Sequence, residues 1–243
     1  MATPALRQLM VLSMSGALGD GGAADPAEIV PGVLLGSRIV AADRGALAQH
    51  GVTHVLNCAR EIPNHFASGC CCGGVVSANV PTPASLSRTD PAPPLQYLKL
   101  ELDDSEEDNI AAEWQRTTEF IDGAVAAGGT VFVHCQAGIS RSAAIVMAHL
   151  MSRHGYTLLA AYERVKERRV NVGPNMHFMR ALAALEDSLR PEAERGSPPS
   201  LTAEDYYART LRDMGFAEHV AREAVRRADG RFELALDFCL LNA

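Results

Sequence analysis

Four short segments of the chain carry apolar or alternating side chains between Gly, Pro or Asp residues, a pattern typical of β-strands. They are GVLLGS, GVTHVLNCA, LQYLKLEL and TVFVHC, in that order along the chain. Segments with apolar residues three or four positions apart lie between and after them and are predicted to be helices. Strands that alternate with helices indicate an α/β fold with a central, mostly parallel sheet flanked by helices.

Two predicted helices frame the last of these strands. The first, NIAAEWQRTTEFIDGAVAAGG, ends in a glycine pair suited to a helix C-terminus. Its apolar stripe is formed by Ile110, Trp114, Ile121 and Val125. The second, SRSAAIVMAHLMSRHG, is apolar on nearly every side, as expected of a helix buried in the middle of a domain.

Changes in composition divide the chain into four parts. Residues 1–25 are predicted to be a flexible leader, with a targeting peptide as the alternative because Arg7 precedes a short apolar run. Residues 26–190 are predicted to form the main domain, 191–201 a linker, and 202–243 a small three-helix bundle. Within the main domain, the stretch 67–96 is rich in Cys, Pro, Ser and Gly and is predicted to be a mobile surface loop.

Charge and cysteine content narrow the classes of partner and compartment. The formal net charge is −7 and no stretch approaches the about 20 apolar residues of a membrane span, so we expect neither nucleic acid nor a membrane as partner. The six cysteines include three adjacent ones at 70–72 and form neither a spaced disulfide framework nor a CxxC zinc motif. We therefore expect no metal or other cofactor, and a reducing compartment, cytoplasm or nucleus.

The stretch HCQAGISRS joins the last predicted strand to the buried helix. Its connection lies at a helix N-terminus, where free backbone N–H groups and the helix dipole favour an anion. Gly138 allows the tight turn that lets those groups converge on one point. A phosphate would fit in this loop. We call residues 135–141 the phosphate loop, and its predicted N–H donors belong to Gln136, Ala137, Gly138, Ile139, Ser140 and Arg141.

Three side chains of the same stretch suit phosphoryl transfer. Cys135, held among N–H groups and a cation, should exist as a nucleophilic thiolate. Arg141 offers a planar pair of donors that matches the oxygens of a phosphoryl group, which a lysine cannot reproduce. The hydroxyl of Ser142 is placed to hydrogen-bond the sulfur when it leaves. The stretch therefore predicts covalent catalysis, and the carboxylates of LELDDSEEDNI are candidates for the acid that such a reaction needs.

HCQAGISRS resembles the HCxxGxxR signature of the cysteine-dependent protein tyrosine phosphatases, specifically their dual-specificity branch. The similarity in the order of segments extends from Ala27 to Glu186. It implies that Asp104, 31 residues before Cys135, is the general acid, with Asp103 as the alternative. It also implies that Asn175 of a PN pair supports the phosphate loop. We expect His134 to orient the loop rather than to act as a base, because thiolate formation needs none. Two positions depart from the family pattern, Val170 for a proline and Ala181 for a glutamine.

The resemblance implies a protein phosphatase acting on phosphotyrosine and on phosphoserine or phosphothreonine. Mitogen-activated protein kinases are among the substrates it implies, although no basic docking segment precedes the domain. A phosphatase of a non-protein phosphate monoester is an alternative, but the loop residues QAGIS lack the lysines expected for highly charged substrates. A phosphoprotein- or ubiquitin-binding adaptor without turnover is the alternative from another class.

Two further groups leave their roles open. Lys166, Arg168 and Arg169 form a basic run that either holds an acidic substrate or is a solvated helix face. Cys58 ends a strand expected beside the one that leads to Cys135, so it is either a packed core residue or the partner in a protective disulfide.

The C-terminal segment resembles a ubiquitin-associated domain of three short helices, with turns at Gly215 and Gly230. The resemblance implies a ubiquitin-binding surface made of Met214, Gly215, Phe216 and Leu240. An exposed Met and Phe beside an apolar helix would form a small patch suited to a partner. The alternative is a helical bundle that packs on the main domain and binds no ubiquitin.

Overall fold

The computed structural model describes residues 26–67, 94–105, 107–228 and 231–242. The predicted leader 1–25, most of the predicted loop 67–96 with its three adjacent cysteines, and the turn at Gly230 lie outside these residues. No helix in the described part of the chain is long and apolar enough to cross a membrane.

A five-stranded sheet forms the centre of the main domain. Its strands are β1 (Ala27–Val30), β2 (Val33–Gly36), β3 (Val52–Ala59), β4 (Gln96–Leu102) and β5 (Thr130–His134). The spatial order is β1-β2-β5-β3-β4. β1 pairs antiparallel with β2, and the other three pairings are parallel. The predicted α/β fold with a mostly parallel sheet is confirmed, and β1 is an additional strand of four residues.

Nine helices accompany the sheet in the described residues. They are α1 (Arg38–Ala41), α2 (Arg44–Gln49), α3 (Trp114–Ala126), α4 (Arg141–His154), α5 (Leu158–Arg168), α6 (Met176–Leu189), α7 (Ala203–Asp213), α8 (Glu218–Ala228) and α9 (Phe232–Leu241). Short 3₁₀ turns at Ile110–Glu113 and Glu192–Glu194 precede α3 and follow α6. Side-chain oxygens of Thr157, Asn175 and Thr202 accept a backbone N–H at the starts of α5, α6 and α7 and stabilise those ends.

Helix α4 lies in the core, as its apolar sequence predicts. Every residue from Arg141 to Met151 is buried, and Gly155 ends the helix in a left-handed conformation. In α3 the predicted stripe is correct for Trp114 and Ile121 but wrong for Val125, whose exposed fraction is 37%. The buried face of α3 also contains Thr117, Thr118 and Ala124. Ile110 is buried as well, but it belongs to the 3₁₀ turn before the helix.

Helices α7–α9 form what we call the C-terminal module, and they pack on the main domain. The rings of Tyr206 on α7 and Tyr162 on α5 meet edge to face with centroids 5.6 Å apart. The predicted linker is tied down as well, since Glu186 of α6 accepts hydrogen bonds from both the backbone N–H and the hydroxyl of Ser200. The predicted three-helix bundle is therefore present, and its apolar core is continuous with that of the main domain.

Candidate active site

The phosphate loop leaves the end of β5 and enters α4. At its middle, Gly138 has a φ of 71°. A Cβ atom there would lie 2.6 Å from the carbonyl oxygen of Gly36 on the neighbouring strand. Both the positive φ and the close approach require glycine, because any side chain would collide with the backbone of β2.

The backbone carbonyls of the phosphate loop are bound from outside the loop. The Gln136 carbonyl accepts from Arg38 N at 3.1 Å and the Ile139 carbonyl from Gly173 N at 3.0 Å. The buried guanidinium of Arg169 donates to Ala137 O at 2.9 Å and to Gly138 O at 3.2 Å. In a planar trans peptide the C=O and the following N–H point in opposite directions. Carbonyls that point outward therefore direct the N–H groups inward, as an anion nest requires.

Cys135 begins this loop and is nearly inaccessible, with an exposed fraction of 2%. The hydroxyl of Ser142, on the first turn of α4, lies 3.2 Å from its sulfur and donates to it. Ser142 is itself completely buried, so its hydroxyl has a fixed environment. The site thus places a hydroxyl donor directly on the sulfur of Cys135.

The Arg141 side chain is buried and makes a two-pronged contact with Glu61. Its Nη1 and Nη2 atoms donate to the two carboxylate oxygens at 2.8 and 2.9 Å, and Nη1 also donates to Leu102 O at 3.1 Å. The hydrogen bonds from Arg141 hold the pKa of the Glu61 carboxyl below its usual value. The Nε of Arg141 is buried and has no hydrogen-bond partner among the described residues. Of the five guanidinium N–H groups, the one on Nε and one of those on Nη2 thus have no partner among the described residues.

Asp104 lies against the phosphate loop although it is 31 residues away in sequence from Cys135. Its Oδ1 accepts from the Ser140 hydroxyl and from Asn175 Nδ2, both at 2.7 Å. The backbone N–H of Asn175 in turn donates to the Ser140 hydroxyl at 3.1 Å. By contrast, Asp103 accepts from Arg60 Nε at 3.0 Å. The structure therefore brings Asp104, Ser140 and Asn175 together at the site and pairs Asp103 with a different side chain.

His134 is packed beneath the loop. Its ring stacks on Phe132 with centroids 5.5 Å apart, and its Nδ1 lies 3.3 Å from the Cys135 carbonyl oxygen. Burial lowers the pKa of His134 to about 4. The imidazole is therefore neutral near pH 7, which suits a residue that orients the loop.

The roles of two residues of the site, Arg169 and Glu61, are not predicted from the sequence. Arg169 belongs by sequence to a basic run facing solvent or substrate, and both interpretations are wrong, because its exposed fraction is 2% and it binds the phosphate loop. Glu61 is the second, since one glutamate in AREIP carries no local signal. Lys99 holds the Glu61 segment in place by donating to Ala59 O and, at 2.6 Å, to Ile62 O.

Two other predicted groups are placed as follows. Cys58 is a free, completely buried thiol, and burial raises its pKa well above the usual value.

In the C-terminal module, Gly215 is exposed with a φ of 96°, while Met214, Phe216 and Leu240 are half-buried. Within the described residues, no three His, Cys, Asp or Glu side chains are grouped so as to hold a metal ion.

Comparisons with known families match two regions of the chain. Residues 33–188 match the model of the dual specificity phosphatase catalytic domain, and residues 208–238 match the model of the UBA/TS-N domain. The two matches coincide with the sheet-containing main domain and with the C-terminal module. The predicted pairing of a phosphatase-like domain with a ubiquitin-associated domain is confirmed.

Individual relatives resemble the main domain. Dual specificity protein phosphatase 1-B of Xenopus laevis is 36% identical over 176 residues, which cover 71% of this chain and 41% of the relative. The chain thus spans about two fifths of the length of that curated relative. A human tyrosine phosphatase-like serine/threonine/tyrosine-interacting protein is similar in structure with a TM-score of 0.53 and 33% identity, covering 67% of this chain and 95% of that one. A mouse putative dual specificity phosphatase complexed with zinc tungstate is similar in structure with a TM-score of 0.56 and 26% identity. The match covers 74% of this chain and 99% of that one.

Proposed function

The chain belongs to the dual specificity phosphatase family, and on that premise we propose that it hydrolyses phosphate monoesters on proteins through a cysteinyl-phosphate intermediate. The observation that carries this proposal is the buried Nε of Arg141 without a partner among the described residues. A buried donor without an acceptor costs free energy that a phosphoryl oxygen would recover. Arg141 also ends the phosphate loop, whose carbonyls are hydrogen-bonded from outside so that its N–H groups point inward.

In the first step of the proposed reaction, the Cys135 thiolate attacks phosphorus while the inward N–H groups and Arg141 hold the phosphoryl oxygens. The bond from phosphorus to the ester oxygen breaks as the S–P bond forms. Asp104, in its protonated form, gives its proton to the leaving oxygen, which would otherwise depart as a costly alkoxide or phenoxide. The products of this step are the free hydroxyl and the cysteinyl phosphate.

In the second step a water molecule attacks phosphorus and Asp104, now a carboxylate, accepts its proton. The S–P bond breaks and inorganic phosphate leaves with the thiolate regenerated. Ser142 supports this step, because its hydroxyl at 3.2 Å stabilises the negative charge that returns to the sulfur.

The substrates that we propose are phosphotyrosine and phosphoserine or phosphothreonine in proteins. The phosphate loop carries a single side-chain cation, Arg141, and no lysine, so it suits a single dianionic phosphoryl group better than a polyphosphate or an inositol phosphate. Phosphorylated mitogen-activated protein kinases are the protein substrates to test first. Release of phosphate from such a kinase, compared with release from a phosphoinositide, separates the protein from the non-protein alternative.

Hydrolysis of an aryl phosphate by matched variants tests the mechanism. Cys135→Ser should abolish activity, whereas Cys239→Ser, which alters a buried cysteine of the C-terminal module, should retain it. Asp104→Ala should lower kcat by roughly 10²–10⁴-fold, whereas Asp103→Ala should not. Activity that survives Cys135→Ser would overturn the covalent mechanism, and full phosphate binding without turnover in the wild type would favour the adaptor alternative.

We also propose that the C-terminal module binds ubiquitin. Its support is the match to the UBA/TS-N model and the exposed apolar side chains of α9, Leu234 and Leu241. Retention on ubiquitin resin should fall in Phe216→Ala and remain in Ile39→Ala, which removes an exposed apolar side chain from the main domain. Equal retention of both variants and the wild type would contradict the assigned surface.

For the compartment, we propose the cytoplasm or the nucleus. The described cysteines, Cys58, Cys135 and Cys239, are all free thiols, and a thiolate nucleophile is retained only where the environment is reducing. Fractionation of cells that produce the tagged full chain tests this, and recovery in the secretory fraction would contradict it.

A further inference from the structure

The loop between α5 and α6 joins three parts of the active site. Gly173 N binds the carbonyl of Ile139, and Asn175 N binds the hydroxyl of Ser140. Asn175 also donates through its side chain to Asp104 at 2.7 Å. Small movements of these three residues, 173–175, would therefore shift both the phosphate loop and the carboxylate that we propose as the acid.

The opposite side of this loop is held by the C-terminal module. The Tyr206 hydroxyl of α7 donates to the carbonyl of Pro174 at 2.5 Å. Tyr206 is 5% exposed and its ring packs edge-on against Tyr162, so the hydroxyl has little freedom to move. Burial raises the pKa of this phenol far above its usual range, so it is a neutral donor near pH 7.

Ion pairs hold α7 in this position from the outside. Arg209 contacts Glu163 at 3.1 Å and Asp213 contacts Lys166 at 2.8 Å, in each case from α7 to α5. These pairs are partly exposed and are worth little individually. Together with the contact between the rings of Tyr162 and Tyr206, they link α7 to α5 at three points.

We infer that Tyr206 is a positioning residue for the phosphatase site, acting through the carbonyl of Pro174 on Asn175 and thereby on Asp104. The inference rests on the proposed function, because it assigns Asp104 as the acid. It adds that the C-terminal module is part of the catalytic apparatus and not only a binding appendage. The full activity of the main domain then depends on the module being docked.

The test exploits the leaving group. General acid assistance matters for phenyl phosphate, whose leaving group is poor, and hardly matters for 2,4-dinitrophenyl phosphate, whose leaving group departs as an anion. In the full chain, Tyr206→Phe should lower kcat/KM for phenyl phosphate by roughly three- to tenfold, the worth of one neutral hydrogen bond. For the dinitrophenyl ester the change should be less than about twofold. Tyr162→Phe, which removes a hydroxyl from the neighbouring ring, is the matched control and should change neither.

A double variant shows whether the effect passes through Asp104. In an Asp104→Asn background, Tyr206→Phe should have no further selective effect on phenyl phosphate, because the group it positions is gone. Three results would overturn the inference. Tyr206→Phe could lower kcat/KM equally for both esters, or by no more than Tyr162→Phe does. Its selective effect could also persist undiminished in the Asp104→Asn background. If Asp104→Asn alone lowers kcat/KM equally for both esters, Asp104 is not the acid and the inference fails with it. This result is distinguishable from a failure of Tyr206→Phe alone.

A second variant covers the case in which Tyr206→Phe does not fold. The double substitution Arg209→Ala and Asp213→Ala removes the α7 partner of both ion pairs. Both side chains are partly exposed, so we expect the variant to fold. We expect a selective loss of about twofold on phenyl phosphate, since surface pairs are weak. An unchanged ratio of kcat/KM between the two esters in this variant would count against control of the site by the module.

Discussion

Arg141 and Glu61 face each other through two parallel N–H···O contacts of 2.8 and 2.9 Å. They are 80 residues apart in sequence, and only Arg141 is buried, since the Glu61 side chain is 46% exposed. The fork-to-fork geometry fixes the plane of the guanidinium. With the contact to Leu102 O, these bonds use both N–H groups of Nη1 and one of Nη2, and Nε has no hydrogen-bond partner among the described residues.

Glu61→Gln should therefore impair the holding of the phosphoryl group and not the proton transfer. An amide can accept with only one of its two heavy atoms, so the guanidinium loses its fixed plane. We expect kcat/KM to fall roughly tenfold on aryl phosphates with good and with poor leaving groups alike. Glu28→Gln, a change at an exposed glutamate of β1, is the control. An unchanged kcat/KM in Glu61→Gln would mean that the pair does not orient Arg141 for catalysis.

Two glycines with similar backbone angles offer a matched test of the phosphate loop. Gly138 and Gly155 have φ values of 71° and 68°. Only at Gly138 would an added methyl group meet another backbone, since it would lie 2.6 Å from Gly36 O. Gly155→Ala should cost about 1 kcal/mol of stability and leave activity intact, because only the left-handed conformation is penalised. Gly138→Ala should abolish activity and cost several times more, as measured by urea unfolding. Similar costs at both positions would contradict the assigned contact.

The parts of this protein that the sequence predicts are those encoded in short contiguous runs. Four strands stand out because they are apolar and bounded by turn residues, and α4 because it is apolar on all sides. Cys135, Arg141 and Ser142 are recognisable for the same reason, since they lie within eight residues of one another. The strand β1, AEIV, is as short as β2, but Glu28 interrupts it, so it lacks the continuous apolar run by which β2 is recognised.

The parts that the sequence does not predict depend on the order of strands and on packing between distant elements. Glu61 and Leu102 reach Arg141 only because β5, β3 and β4 lie side by side in this order in the sheet. Arg169 looks like one of three surface cations until α5 is packed against the loop, where its guanidinium finds two carbonyls. Tyr206 belongs to a different module altogether, so nothing in its local sequence points to the site.

The register of β3 and β5 predicts a disulfide between Cys58 and Cys135. Asn57 of β3 is paired with His134, the last residue of β5. Cys58 and Cys135 come directly after this pair, so neighbouring-strand spacing puts them within the range of a disulfide. Hydrogen peroxide would oxidise the Cys135 thiolate to a sulfenic acid, and the Cys58 thiol would displace water from it. Mass spectrometry should then show a linked Cys58–Cys135 peptide. Recovery of activity with added thiol should be lost in Cys58→Ser and retained in Cys239→Ser, and recovery in both would contradict the disulfide.

His149 provides a pH-dependent contribution to stability. It is buried on α4 with its Nδ1 3.8 Å from Asp122, beside Arg153 and His154. Burial lowers its pKa from 6.5 to about 4 in spite of the nearby carboxylate. The contact with Asp122 is therefore not an ion pair near pH 7. The unfolded chain binds a proton at this residue in a range where the folded chain does not.

Because the unfolded state binds more protons between pH 6.5 and about 4, the free energy of unfolding should fall as the pH is lowered through this window. Well above pH 6.5 this histidine is neutral in both states, and well below about pH 4 it is protonated in both. Outside the window it therefore adds no further pH dependence to the free energy of unfolding. Each such histidine contributes at most about 1.4 kcal/mol per pH unit, and His134 acts in the same direction. Urea unfolding at pH 7, 6 and 5 should show a smaller pH dependence in His149→Phe than in the wild type. The exposed His50 is the control, and a His149→Phe slope equal to that of His50→Phe would contradict the assignment.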